Sequence, residues 1–265
     1  MRNSNVSRPP RLTTGRIAAL IIGIPISLAV ITWGALTVIS LLSLDSFQIQ
    51  RSFSPSGGQL SVSLNDGDLT LAPSSGDRVE LTGVAHYSLV RPTVNVDTTG
   101  AGVSVSVTCP WFASINCSAD LTVVVPAGIA VAASTDTGNI TASNLDNVSL
   151  QTDTGDLQVN GGAGVDHLST DTGQITGAAM DASDVTAGSD TGDVSLDFAQ
   201  PPTDVSAQDD TGDVTVTLPA GAPPYAVSAH TQTGNTTVGV PTNPTSTDQI
   251  AVSTDTGDVT VDAAG

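Results

Sequence analysis

The tripeptide Asp-Thr-Gly occurs six times, starting at Asp136, Asp153, Asp171, Asp190, Asp210 and Asp255 and ending on Gly138, Gly155, Gly173, Gly192, Gly212 and Gly257. A seventh copy carries Gln232 in place of the aspartate and ends on Gly234. The same tripeptide surrounds the catalytic carboxylate of an aspartic protease. That chemistry needs two aspartates buried together and sharing one proton. Six copies and one glutamine variant form a repeat, not a dyad. The flanks also disagree with a protease. Thr135, Thr152, Thr170, Ser189, Asp209 and Thr254 precede the aspartates, and Asn, Asp or Gln follows the glycine. Proteolysis is not expected, and no catalytic residue is assigned.

Cation binding is the second chemistry these residues could perform. If equivalent turns stack, Asp136, Asp153, Asp171, Asp190 and Asp210 form one column, and Asp156, Asp193, Asp213 and Asp258 another. Neighbours in a column then lie about 4.8 Å apart. Their repulsion is about 0.9 kcal/mol in water and less in salt, so no cation is required. Calcium takes roughly six to eight oxygen ligands. Its candidates are Asp153 with Asp156, Asp190 with Asp193, and Asp210 with Asp213. Gln232 is expected to break the first column, and Asn139, Gln174 and Asn235 the second. The reading is solvated turn aspartates without a metal or cofactor, calcium being the weak alternative.

Cys109 and Cys117 are the only cysteines, and a close pair outside the cytoplasm reads as a disulfide. Trp111 and Phe112, between them, are expected either to cap the core or to touch a partner or membrane surface. His86, His167 and His230 occupy unrelated places, with no nucleophile–histidine–acid arrangement and no phosphate-binding glycine loop.

The elements that position these residues follow from the repeat. The interval between successive key glycines widens steadily, from its shortest at Gly138–Gly155 to its longest at Gly234–Gly257. Similarity at a period of about 20 residues marks a stacked architecture, in which each unit buries its apolar face on its neighbours. An eighth, looser relative is Leu64–Leu71, where Gly67 takes the turn. Each unit reads strand–turn–strand, with alternation before the turn (Val148–Thr152) and after it (Asp193–Leu196). Glycine supplies a positive φ, and the aspartate two residues earlier is expected to accept backbone N–H bonds in an Asx turn.

Two all-β architectures fit. One is a single-stranded β-solenoid, each unit a coil; the other is a β-hairpin meander or sandwich. Likeness at the same position in every copy favours stacking, and small apolar residues such as Val205, Ala207, Val214 and Val216 suit a narrow core. Residues 45–130 read as an irregular β entry region that holds the cysteine loop, either continuous with the solenoid or capping its membrane-proximal end, and residues 131–265 as the D-T-G solenoid. The last strand, ending at residues 261–265, is expected to be the exposed end of the stack.

The chain has 265 residues, seven arginines, no lysine and 26 acidic residues. Arg2, Arg8, Arg11 and Arg16 precede a long charge-free run, 17–44. A membrane-spanning helix needs roughly 20 such residues, and a signal-peptide core only about 7–15. The run reads as a transmembrane signal anchor with the tail 1–16 in the cytoplasm. Beyond it, three arginines face 26 acidic residues, a net charge of −23. Such a domain repels nucleic acid and stays soluble.

Two stretches carry a family resemblance. Asp120–Ala142 shows an alternating strand, a Val-Pro-x-Gly corner and T-x-x-G-[DN]-[IV]; Val214–Val238 repeats the pattern. They resemble a bacterial "putative adhesin" family of unknown function. The resemblance implies a β-solenoid ectodomain behind one membrane anchor on the cell envelope, and it supplies no catalytic residue. The expected function is a non-enzymatic, single-pass cell-surface protein, structural or adhesive, whose partner is an unidentified envelope or cell-surface component. The alternative is an accessory subunit in envelope-stress sensing or signalling.

Overall fold

The computed structural model describes residues 23–35, 44–55, 57–88, 90–100, 102–110 and 117–265. The tail 1–16, both ends of the apolar run, and Trp111 and Phe112 lie outside the described residues. The chain divides into two units after Leu44. In the first, residues 23–35 form helix α1. Its large apolar side chains are exposed, Trp33 at 72% and Val30 at 66%. The Thr32 hydroxyl donates to the Leu28 carbonyl at 2.8 Å, so that polar group is satisfied within the helix. No described helix is long and apolar enough to cross a membrane.

The second unit, Asp45–Gly265, is all β. Its first seven strands are β1 (Asp45–Phe53), β2 (Gln59–Asp66), β3 (Leu69–Ser74), β4 (Val79–Tyr87), β5 (Thr93–Thr98), β6 (Gly102–Thr108) and β7 (Ser118–Pro126). Then come β8 (Ala130–Thr137), β9 (Ile140–Ser143), β10 (Val148–Thr154), β11 (Leu157–Asn160), β12 (Ala163–Thr172) and the long β13 (Ile175–Thr191). The series ends with β14 (Val194–Phe198), β15 (Asp204–Thr211), β16 (Val214–Leu218), β17 (Ala226–Thr233), β18 (Thr236–Val238), β19 (Gln249–Thr256) and β20 (Val259–Ala263).

Each D-T-G is the turn between two strands of one coil, as between β10 and β11. The first strand of each coil joins one sheet, here sheet I, and the second joins sheet II. β13 serves both sheets, pairing with β14 through its start and with β15 through its end. Coils pair in parallel with equivalent residues opposite one another. Leu150 lies between Ala133 and Leu168, and Leu157 between Ile140 and Ile175. Parallel, in-register pairing of successive units makes the fold a β-solenoid and rules out the hairpin meander.

The alternation in sequence becomes two inward faces. Val205, Ala207, Val214 and Val216 are fully buried, as are Val259 and Val261 of the last copy. Residues 45–130 build more than a cap. β2 with β3, and β6 with β7, are coils of the same stack, while β1, β4 and β5 cover its leading end by antiparallel pairing. The solenoid therefore begins well before residue 131.

Chain order and spatial order differ at both ends. β2 sits between β6 and β8, so the chain passes from β7 to β8 over an existing coil. At the other end β19 sits between β15 and β17, and β20 between β16 and β18. The final strand is therefore interior, and β17 with β18 form the uncovered end, contrary to the expectation from sequence. Both skips begin at a Pro-Ala-Gly corner, Pro126–Gly128 and Pro219–Gly221. Gly128 and Gly221 take φ of 81° and 80°, the conformation a type II turn demands at its third residue.

Candidate functional site

The D-T-G turns line up along one rim of the solenoid, and three ladders hold them there. The first is buried. Thr152 donates its hydroxyl to the Gly138 carbonyl at 3.0 Å, Thr170 to Gly155 at 3.1 Å and Ser189 to Gly173 at 3.2 Å. Thr254 donates to Gly212 at 3.0 Å and Thr231 to Gly257 at 2.8 Å. Each of these coils thus ties itself to the glycine of the coil beside it. The glycines have two reasons to be glycine. Gly173 has φ of 149°, and a Cβ there would lie 1.9 Å from the Gly155 carbonyl oxygen.

The second ladder is the residue after the glycine. The Asn139 N–H donates to Asp68 Oδ1 at 2.8 Å, Asp156 N–H to Asn139 Oδ1 at 2.8 Å, and Gln174 N–H to Asp156 Oδ1 at 2.9 Å. It resumes with Asp213 N–H to Asp193 Oδ1 at 2.9 Å, then Asp258 to Asp213 and Asn235 to Asp258, both at 2.7 Å. Aspartate and asparagine are interchangeable here because each presents an oxygen to the next N–H. The asparagines therefore continue this column and do not break it.

The third row is Asp136, Asp153, Asp171, Asp190, Asp210 and Asp255, all exposed. The Asx-turn expectation fails for these residues. Among the described residues none of the six carboxylates accepts a backbone N–H; the inward threonines and the residues after the glycine hold the turn. Gln232 does not interrupt this row either, because its coil is the end of the stack. The Gln232 amide donates to Asp255, and at the opposite end Asn65 Nδ2 donates to Asp136 Oδ2 at 2.8 Å. Amides close both ends of a row of six carboxylates. Among the described residues, no three His, Cys, Asp or Glu side chains are grouped to hold a metal ion.

Two aspartates are in the core, which the sequence reading missed. Asp209 occupies the hydroxyl position of the first ladder, at 5% exposure. Neither carboxylate oxygen has a well-formed hydrogen bond, and the carbonyl that a hydroxyl here would reach can only accept. Desolvation pushes its pKa up to about 6, opposed by weak attraction from the Thr211 and Asp210 N–H groups and aided by Asp193 and Asp210. Asp166 is fully buried between Val148 and Val185 in a valine column. Desolvation raises it to about 6, although Val148 N–H donates to its Oδ1 at 3.2 Å. Both were visible as exceptions in the copy-by-copy alignment. Seven residues before the key glycine stand Val131, Val148, Asp166, Val185, Val205, Val227 and Ile250, and three residues before it stand threonine, serine or Asp209.

Cys109 and Cys117 form the disulfide that joins the end of β6 to the start of β7, with Cα atoms 5.9 Å apart. His167 and His230 lie on the outer face of sheet I and His86 on β4, in no common cluster.

A family model described as Toastrack DUF4097 matches residues 20–262. The chain belongs to the Toastrack DUF4097 family. Solved structures align with this Toastrack chain over most of its length. A "putative adhesin" from Bacteroides fragilis NCTC 9343 is 14% identical with a TM-score of 0.44, the match covering 82% of this chain and 97% of that one. One from Parabacteroides merdae ATCC 43184 is 14% identical with a TM-score of 0.42, covering 84% and 97%. A "putative cell adhesion protein" from Clostridium sporogenes ATCC 15579 is 15% identical with a TM-score of 0.37, covering 83% and 100%. No curated protein matches the sequence.

Proposed function

We propose that the chain is a non-enzymatic, membrane-anchored cell-surface protein whose solenoid has a structural or adhesive role outside the cell. One observation carries the adhesive reading. The outer face of sheet II presents, strand after strand, Thr82, Thr122, Thr70, Thr141, Gln158, Thr176, Ser195, Thr215, Thr260 and Thr237 in register. At about 4.8 Å per strand this line is roughly 43 Å long. Equal hydrogen-bonding groups at equal intervals suit an extended or repetitive envelope partner, because weak contacts sum along a line.

The anchor rests on the charge-free run 17–44. Its described part is a helix with outward apolar side chains, which lipid accommodates and water does not. The four leading arginines assign the tail to the cytoplasm. An Ala264→Cys variant, probed on intact cells with an impermeant thiol reagent, should label; protection would reverse the orientation. For adhesion, residues 45–265 should co-sediment with isolated envelopes, and a Thr176→Glu/Thr215→Glu variant should lose that binding. Equal retention of both proteins, or of neither, would sink the adhesive reading.

A further inference from the structure

We propose that the uncovered end coil, β17 with β18, is the surface through which two copies of this chain associate end to end about a two-fold axis. Among the described residues β17 pairs only with β19 and β18 only with β20, while Tyr225, just before β17, bridges to Thr242 of the following loop. The outward side of the coil is an unfinished stack. Val227 and Ala229 stand in register with the buried Ile250 and Val252 but are themselves only half-buried. Val238, opposite the fully buried Val261, is 39% exposed. Ala226, Val227, Ala229, Val238 and Pro244 line an open groove of about 540 Å³ at this mouth of the core.

Charge identifies the occupant. Natural sheets protect bare edges with charged side chains, proline, bulges or a covering element. This unit carries a net −23, yet β17 and β18 contain no Asp, Glu, Lys or Arg. Both rim positions that are acidic in most coils are amides here, Gln232 and Asn235. Two copies approaching by any other coil would press carboxylate rows together. Only at this end do they meet neutral to neutral, over strand edges with unused backbone groups.

The leading end of the stack is covered by antiparallel β1, β4 and β5, which carry Asp45, Arg51, Glu80 and Asp97, so it does not offer a head-to-tail partner the neutral, open coil found at the other end. A two-fold axis across the stack reverses the direction in which each coil winds. The facing edges then run antiparallel, the stronger pairing, and the assembly closes as a dimer.

The test is sedimentation of the full chain in detergent micelles. The wild type should be a dimer at the highest attainable concentration. Gln232→Asp/Asn235→Asp gives the end coil the D-T-G-D turn that β10 and β11 already use, so it folds. It should weaken dimerisation about tenfold or more at low salt and less at high salt. Val238→Lys, an inward charge on the edge, should give a monomer whose circular dichroism is unchanged. A monomeric wild type overturns the proposal. So does a dimer that both variants leave intact, since the apolar run and not the end coil would then be holding it.

Discussion

Replacing Asp209 with threonine should stabilise the solenoid at neutral pH, and the structure sets the size of the effect. Six coils place a hydroxyl where Asp209 sits, and in each it donates to the neighbouring glycine at 2.8–3.4 Å. An ionised Asp209 has no proton to give, and both of its oxygens lack partners. Leaving a buried polar group unsatisfied costs about 1–3 kcal/mol, which Asp209→Thr removes. For a domain of this size that corresponds to a rise in Tm of roughly 2–12 °C. The sign with pH follows from the raised pKa. The folded state holds the Asp209 proton up to about pH 6, whereas a free carboxyl loses it near 3.8. Wild-type stability is thus greatest below the unfolded value and falls as pH rises through the folded one. At low pH the protonated carboxyl can itself donate to the Gly192 carbonyl, so the gain from threonine shrinks. Thermal melts followed by circular dichroism between about pH 4.5 and 7.5 read both quantities. A gain that is the same at every pH, or no gain at neutral pH, would contradict this account of Asp209.

Five further outcomes are expected. Asp166→Asn keeps an oxygen for the Val148 N–H and removes the buried charge, so the fall in Tm between acid and neutral pH should be smaller than in wild type. Gly173→Ala forces a Cβ to 1.9 Å from a backbone oxygen at φ 149° and should cost roughly 3 kcal/mol in chemical denaturation. Gly188→Ala, where a Cβ meets nothing within 4 Å, should be neutral or slightly stabilising. The row of six exposed aspartates should make Tm rise with sodium chloride, by relief of about 0.9 kcal/mol per neighbouring pair at most. Calcium at matched ionic strength should add nothing; a saturable rise would establish a calcium site.

Much of the rim was legible before the structure. The glycine spacing, the alternation and the recurrence of one polar pattern pointed to stacked coils with D-T-G at the turns. The division of labour within the turn was not legible. Aspartate draws attention as a chemical group, yet Thr152 and Asn139 hold the corner while Asp153 faces water. Which residue faces in depends on a one-residue alternation that sequence shows only when copies are aligned column by column. Read that way, Asp166 among valines and Asp209 among threonines were already conspicuous.

Local pattern alone was enough to specify the coil: its length, its two inward faces, its glycine turn and the disulfide between Cys109 and Cys117. It also marked, without explaining them, the two Pro-Ala-Gly corners and the longer intervals on either side of Gly234. The order in which coils stack came from the packed molecule and from nothing less. Copies this alike offer nearly the same surface to any neighbour, so local pattern cannot rank the arrangements. At the later skip a corner and a longer connection let the chain span two coil heights, after which it returns to fill the gap with β19 and β20. That choice makes the final strand interior, places Gln232 and Asn235 on the open end, and leaves the one uncharged coil as the face the molecule presents to another copy.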